Sequence, residues 1–120
     1  DRSVRLAIVE KTNQAFVGTC GFRNYDPAAK HAEIGGNIKS ALWGNGFAAE
    51  IIPALLKYGF QSMDLNKIHA YVLKKNTKVQ KLLEKFPFAK EGQLRQYLLI
   101  HSKLEDVIVY GMLREELANE

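Results

Sequence analysis

The sequence predicts an α+β domain, a sheet with helices laid against it, spanning residues 1–120 as a single unit. Three observations carry that expectation. Short segments alternate apolar and polar residues with period two, two segments place apolar residues at helical spacing, and turn residues separate them in the order β-β-β-α-β-α-β-β. A chain of 120 residues suits one two-layer core and not two.

The first strand is expected over Val4 to Glu10, closed by Lys11-Thr12-Asn13-Gln14, and the second over Ala15 to Tyr25 as its hairpin partner. Gly18 and Gly21 weaken that second strand and suggest a bulge or bend. Asn24-Tyr25-Asp26-Pro27 reads as a turn, because Pro presets φ and Asp bonds its own backbone. From His31 to Ile38 the alternation sets His31, Glu33, Gly35 and Asn37 on one face, with Ala32, Ile34, Gly36 and Ile38 on the other.

Phe47, Ile51, Leu55 and Tyr58, flanked by Ala48, Ile52 and Leu56, trace a wide apolar stripe and predict a core helix from Phe47 to Phe60. Pro53 should bend that helix and Gly59 should help to end it. Ile68, Ala70 and Val72 alternate with His69 and Tyr71 in a further strand. Asn76 or Thr77 then caps a short helix from Lys78 to Phe86, with Val79, Leu82, Leu83 and Phe86 inward and Pro87 as its stop. Two long strands follow, about Lys90 to His101 and Asp106 to Leu113, joined near Ser102-Lys103-Leu104-Glu105. The polar tail Arg114 to Glu120 is expected to fray.

Composition narrows the function classes. Hydrophobic residues make up 47% and charged residues 25%, the balance of an ordinary globular chain. No apolar run approaches the ~20 residues that span a bilayer, and the first residues lack the apolar core of a signal peptide, so no membrane partner is expected. Cys20 is the single cysteine, which rules out an intrachain disulfide, and no Cys/His cluster has zinc spacing, so no metal is expected. The expected compartment is cytoplasmic. Lys74, Lys75, Lys78, Lys81, Lys85 and Lys90 read either as a solvated face or as attraction for an anionic ligand. Aromatic residues do not interleave with them, which disfavours nucleic acid as a direct partner.

The most informative stretch is Ser40 to Glu50, which follows the third strand and opens the core helix. A strand, a glycine-bearing turn and a helix N-terminus together leave several backbone N–H groups unpaired beside the positive end of the helix dipole, a design suited to phosphate. Gly44 and Gly46, one residue apart, let the backbone come close to an anion. By itself Gly-Asn-Gly is also ordinary loop chemistry.

Ala32-Glu33-Ile34-Gly35 followed by Trp43-Gly44-Asn45-Gly46-Phe47-Ala48-Ala49-Glu50 resembles the acyl-CoA loop of the GNAT N-acetyltransferase superfamily, and within it the Rim-type ribosomal-protein N-acetyltransferases. The commoner superfamily pattern appears as Trp43-x-x-Gly46-x-Ala48, with Trp in place of the first polar residue. The resemblance covers essentially the whole chain, through Leu82-Leu83-Glu84-Lys85-Phe86-Pro87-Phe88 to Arg114-Glu115-Glu116. It implies a mixed, mostly antiparallel sheet flanked by helices, without the family's usual N-terminal strand and helices. Apolar strand faces left bare by that difference would favour added upstream sequence or a homo-oligomer.

The resemblance also implies acetyl-CoA as cosubstrate and an amine acceptor, with a protein N-terminal amine foremost. Gly36, Asn37 and Ile38 would pair through their backbone with pantetheine, whereas Gly35-Gly36 as a simple bulge is the competing reading. Trp43 opens the loop, and Gly44, Asn45, Gly46, Phe47 and Ala48 would carry the pyrophosphate. Glu33 matches a carboxylate that Rim-type enzymes use as general base, against a solvated or ion-paired strand glutamate. Asn76 matches an asparagine that contacts cofactor or acceptor, against a plain helix cap.

Val79 stands where the family commonly has Ser, and no Tyr lies between Thr77 and Phe86, so the acid for the thiolate is unassigned. His31 is a second candidate base, and Cys20 reads as a small core residue. The expected activity is acetyl-CoA-dependent N-acetylation of a primary amine. The alternatives are a non-catalytic CoA-binding or interaction module and a polyamine or aminoglycoside acetyltransferase.

Overall fold

The computed structural model describes residues 4–9, 16–38 and 47–118. Its elements are β1 (Val4–Val9), β2 (Phe16–Asp26), β3 (His31–Ile38), α1 (Phe47–Lys57), β4 (Lys67–Leu73), α2 (Thr77–Leu83), β5 (Ala89–Ile100), β6 (Lys103–Leu113) and α3 (Arg114–Ala118). The chain divides into two compact units, residues 1–68 and 69–120.

In the first unit β1, β2 and β3 form an antiparallel meander. The cross-strand pairs put Cys20, Phe22 and Ile34 on one face. Cys20, Phe22 and Ala32 are buried, as are Ile52, Leu55 and Leu56 of α1, the inward side of the expected stripe. The Phe22 and Tyr58 rings stack, 6.4 Å apart at 16°. Burial pushes the Cys20 thiol up from its ordinary value, so the sulfur stays protonated, as a small core residue does.

The bulges sit where cross-strand counting places them. β2 carries Val17 as an extra residue between the Ile8–Gly18 and Val9–Phe16 pairs, beside the expected Gly18. Gly21 instead pairs regularly with both Arg5 and Gly35. A second irregularity lies between Arg23 and Asp26, where Asn24 takes φ 54°. β2 therefore runs on to Asp26, and the turn comes after it. Asp26 Oδ1 accepts the N–H groups of Ala28 and Ala29, both at 3.0 Å, and Lys30, at φ 60°, closes onto the Asp26 carbonyl.

α1 passes through Pro53 and continues as a π-helical turn over Tyr58–Ser62. Gly59 does not end it. A Cβ there would lie 2.9 Å from Ile68 Cδ1 and 2.9 Å from Phe22 Cζ, so glycine serves close packing. The chain leaves the helical conformation at Asp64, with φ 56°, just before Leu65 N–H bonds the Gly59 carbonyl.

In the second unit the strand order is β4-β6-β5, with β5 and β6 antiparallel. Ala70, Val72, Leu83, Phe88, Val107, Ile108, Tyr110 and Met112 are buried. α2 ends at Leu83, earlier than expected. The Glu84 N–H still reaches back four residues to Gln80, but those of Lys85 and Phe86 reach back only three, as suits a chain approaching Pro87. The β5–β6 loop is two residues, His101 (φ 48°) and Ser102 (φ 63°), so β6 starts at Lys103 and not near Asp106. The tail does not fray through Ala118. It forms α3, and Glu116 Oε1 accepts the Leu113 N–H at 2.7 Å, half of a capping box.

Candidate active site

Glu33 is the one charged side chain among the described residues that is buried, at 6% exposure. Its cross-strand partner on β2 is Arg23, whose Nε donates to Glu33 Oε2 at 3.0 Å. Asn24 Nδ2 donates to Oε1 at 3.1 Å. The left-handed Asn24 at the bulge is what brings two successive β2 side chains to the same carboxylate, since regular alternation would send them to opposite faces. Each carboxylate oxygen has two acceptor directions, so both can still accept a further proton or water while held.

The Arg23 guanidinium lies across Gly35, where a Cβ would meet Nη2 at 3.2 Å. Gly35 and Gly36 keep regular register with Gly21 and Cys20, so this pair is not a bulge against β2. Glycine at 35 serves instead to let the cation lie flat over the strand. The sequence does not single out Arg23, and it reads Asn24 only as part of a turn. The signal was present only as the β2–β3 register, which the bulge shifts.

Asn37 and Ile38 continue β3, paired with Thr19 and Gly18. Trp43, Gly44, Asn45 and Gly46 lie outside the described residues. Phe47 and Ala48 are the first two residues of α1, so a helix N-terminus does follow the loop. Asn76 is the N-cap of α2, its Oδ1 accepting from Val79 N–H at 3.3 Å. Capping and ligand contact are compatible, because the residue is exposed. His31 begins β3 and is half-buried.

The lysine cluster is exposed at every member, and Lys75 is bonded to Glu105 at 2.8 Å. Tyr110 is fully buried on β6, with its hydroxyl donating to Glu84 Oε2 at 3.0 Å just past α2. Burial first, and then that carboxylate, push its pKa up to about 12. No helix of the described residues is long and apolar enough to cross a membrane. No cluster of three metal-ligating side chains occurs among the described residues.

Residues 1–89 match the family described as Acetyltransferase (GNAT) domain. An uncharacterized N-acetyltransferase p20 of Bacillus licheniformis is 41% identical over 114 residues, covering 95% of this chain and 64% of that one. The [Ribosomal protein uS5]-alanine N-acetyltransferase of Escherichia coli is 25% identical over 89% of this chain and 56% of its own length. Mutant forms of the spermidine/spermine N-acetyltransferase SpeG from Vibrio cholerae superpose with TM-score 0.94 at 25% identity, over 99% of this chain and 71% of that one. This chain thus spans less than two thirds of the length of these curated relatives. The likeness to the solved structure carries the α+β expectation, with its mixed, mostly antiparallel sheet. With most of the residues matched and a relative above 40% identity, the chain belongs to the GNAT acetyltransferase family.

Proposed function

We propose that this chain is the catalytic part of an acetyl-CoA-dependent N-acetyltransferase that modifies a primary amine, with a protein N-terminal amine as the foremost acceptor. The observation that carries the reading is the buried, doubly held Glu33 on the strand that precedes the cofactor loop. The uS5-alanine relative supports a protein acceptor, and SpeG keeps polyamines as the competing acceptor.

The residues present fit the cosubstrate. β3 ends at Ile38 and α1 starts at Phe47, so the glycine-bearing loop leads into the positive end of an 11-residue helix. Gly36, Asn37 and Ile38 would hold the pantetheine arm, Trp43 to Ala48 the pyrophosphate, and Asn76 an edge of either ligand. Acetyl-CoA, when bound, supplies an acetyl group activated as a thioester.

The acceptor amine must lose a proton as its nitrogen bonds the acetyl carbon and the carbon–sulfur bond breaks, with CoA leaving as a thiolate that takes its proton from solvent. Glu33 takes that proton, directly or through one water, on an acceptor direction that Arg23 and Asn24 leave open. Arg23 and Asn24 hold the carboxylate in one orientation. This avoids rearrangement during the reaction.

A thiol-release assay against peptide N-termini, polyamines and other small amines tests the reading. Glu33→Gln keeps the shape and removes the basicity, so turnover should fall about 10²- to 10⁴-fold with CoA affinity nearly unchanged. Near-full turnover of that variant across pH would remove Glu33 as the base. Tight CoA binding without thiol release from any amine would instead mark a non-catalytic CoA-binding module.

A further inference from the structure

The two groups that hold Glu33 are of different kinds. On one side Arg23 Nε donates to Oε2, and on the other Asn24 Nδ2 donates to Oε1. Each keeps polar atoms in reserve. Among the described residues the Arg23 guanidinium makes no bond beyond that of Nε, so the N–H groups of Nη1 and Nη2 are open. The Asn24 carbonyl oxygen, Oδ1, accepts no bond among them either.

Exposure divides the ion pair in the same direction. The Glu33 side chain is 8% exposed and the Arg23 side chain 58%, so a ligand coming from water meets the cation before the anion. Gly35 lets the guanidinium lie low on the sheet, since a Cβ there would be 3.2 Å from Nη2. The other charges of this hairpin are engaged elsewhere. Asp26 Oδ1 accepts the Ala28 and Ala29 N–H groups, and Lys30 Nζ bonds Asp64 at 3.0 Å. The neighbouring strand β1 contributes Arg5 and no acidic residue.

This layout discriminates among amines. An acceptor arrives mainly as an ammonium, which suits Glu33 Oε1 and the Asn24 carbonyl, both of them acceptors. Arg23 offers only donors and positive charge, and a planar guanidinium takes a carboxylate through two parallel N–H bonds. A carboxylate on its outer edge would sit about 6–8 Å from an ammonium at Glu33, by guanidinium and hydrogen-bond dimensions. From a peptide N-terminus, the side chain of an acidic second residue spans that distance. A polyamine would bring a second ammonium toward the exposed guanidinium, a like-charge contact.

We propose that Arg23 is a specificity-determining residue whose outer guanidinium edge binds a carboxylate close to the acceptor amine. The acceptor is then a protein N-terminus with an acidic second residue, and not a polyamine. The inference rests on the proposed function for Glu33 as the place where the amine binds. Binding without acetyl transfer tests it separately.

The probes are the C-terminally amidated dipeptides Ala-Glu, Ala-Gln and Ala-Lys, with spermidine as the polyamine. Each is titrated against the intact chain in the presence of free CoA, which has no acetyl group to transfer, while the arginine Nε–H resonances are followed by NMR. The Arg23 resonance should move with the Ala-Glu peptide, which should bind about three- to tenfold more tightly than Ala-Gln. Ala-Lys and spermidine should bind more weakly than Ala-Gln. Arg23→Gln should bring the ratio of Ala-Glu to Ala-Gln close to one, and Arg23→Glu should turn the preference toward Ala-Lys. Arg23→Lys should keep part of the original preference. Ratios taken within one variant cancel any loss of Glu33 alignment, and the amide spectrum reports that each variant is folded. Equal or absent binding of Ala-Glu and Ala-Gln to the wild-type chain would overturn the proposal, as would an unmoved Arg23 resonance or an undiminished ratio in folded Arg23→Gln protein. If the ratios hold while acetyl-CoA releases no thiol with any amine, the transferase reading fails and this site stands.

Discussion

The β2–β3 hairpin of the first unit and the β5–β6 hairpin of the second solve a local problem with the same parts. Each has an irregular register on one strand, with a left-handed residue that is not glycine, Asn24 at φ 54° or Gln96 at φ 49°. On the facing strand each has a carboxylate that accepts two donors, Glu33 from Arg23 and Asn24, Asp106 from the Gln96 N–H and Gln93. The surroundings differ. Glu33 is 6% exposed, whereas Asp106 is only half-buried. One device therefore yields a buried, oriented carboxylate in the first hairpin and a half-buried clamp in the second, and desolvation makes an unmet bond costlier in the first.

The strongest way to break this comparison is to remove a donor from the buried side. Arg23→Ala leaves Glu33 with Asn24 alone, and should lower stability by about 1–3 kcal/mol in urea unfolding. The figure sits below that of a fully buried pair because the Arg23 side chain is 58% exposed and water can take its place. A loss under a few tenths of a kcal/mol would mean that Glu33 is solvated in practice, and the contrast would disappear.

Tyr110 gives an intermediate case inside the second unit, with a buried ring and a hydroxyl bonded to exposed Glu84. Tyr110→Phe should cost about 0.5–1.5 kcal/mol, since Glu84 can recover water as its partner. Its folded pKa, about 12, lies above the ordinary value near 10. The contribution is thus fully present below pH 10 and lost as pH rises toward 12. An alkaline unfolding series should show this loss in the wild-type chain and not in the Phe variant.

The smallest effect belongs to Asp106. Its folded pKa is lowered, so its stabilisation is present above the ordinary carboxylate value near 4 and is lost as pH falls through the lower folded value. Asp106→Asn should shift the melting temperature only slightly near neutrality, and the gap between the two proteins should narrow on acidification. A gap that widens there would reverse the assigned sign. In Glu33→Gln, by contrast, the change to look for is in turnover.

Much of the architecture was legible because it rests on repeating patterns. The stripe through Ile52, Leu55 and Leu56 and the alternation at Ile68, Ala70 and Val72 mark buried faces, which the structure reproduces. Asn76 as a cap follows from a side chain that bonds the backbone three residues on. Turn and bulge positions were harder to read. His101-Ser102 lacks the Asn-Gly signature of a two-residue hairpin loop, and Gln96 carries no mark of a left-handed residue, so β6 was expected to begin later than it does.

By itself the sequence determined the α+β class, the order of the elements through β6, the glycine-bearing loop and Glu33 as the carboxylate to examine. These depend on residue types at short spacing, which a linear chain displays. Tertiary structure alone decided what surrounds that carboxylate. Arg23 lies ten residues from Glu33 and Asn24 nine, and they meet it only because the β2 bulge sets the register with β3. The same holds for Gly59, whose missing side chain makes room for Ile68 and for Phe22, the second of them far away in sequence. Long-range register and close packing are properties of the folded chain, since a one-residue slip in pairing sends each side chain to the other face.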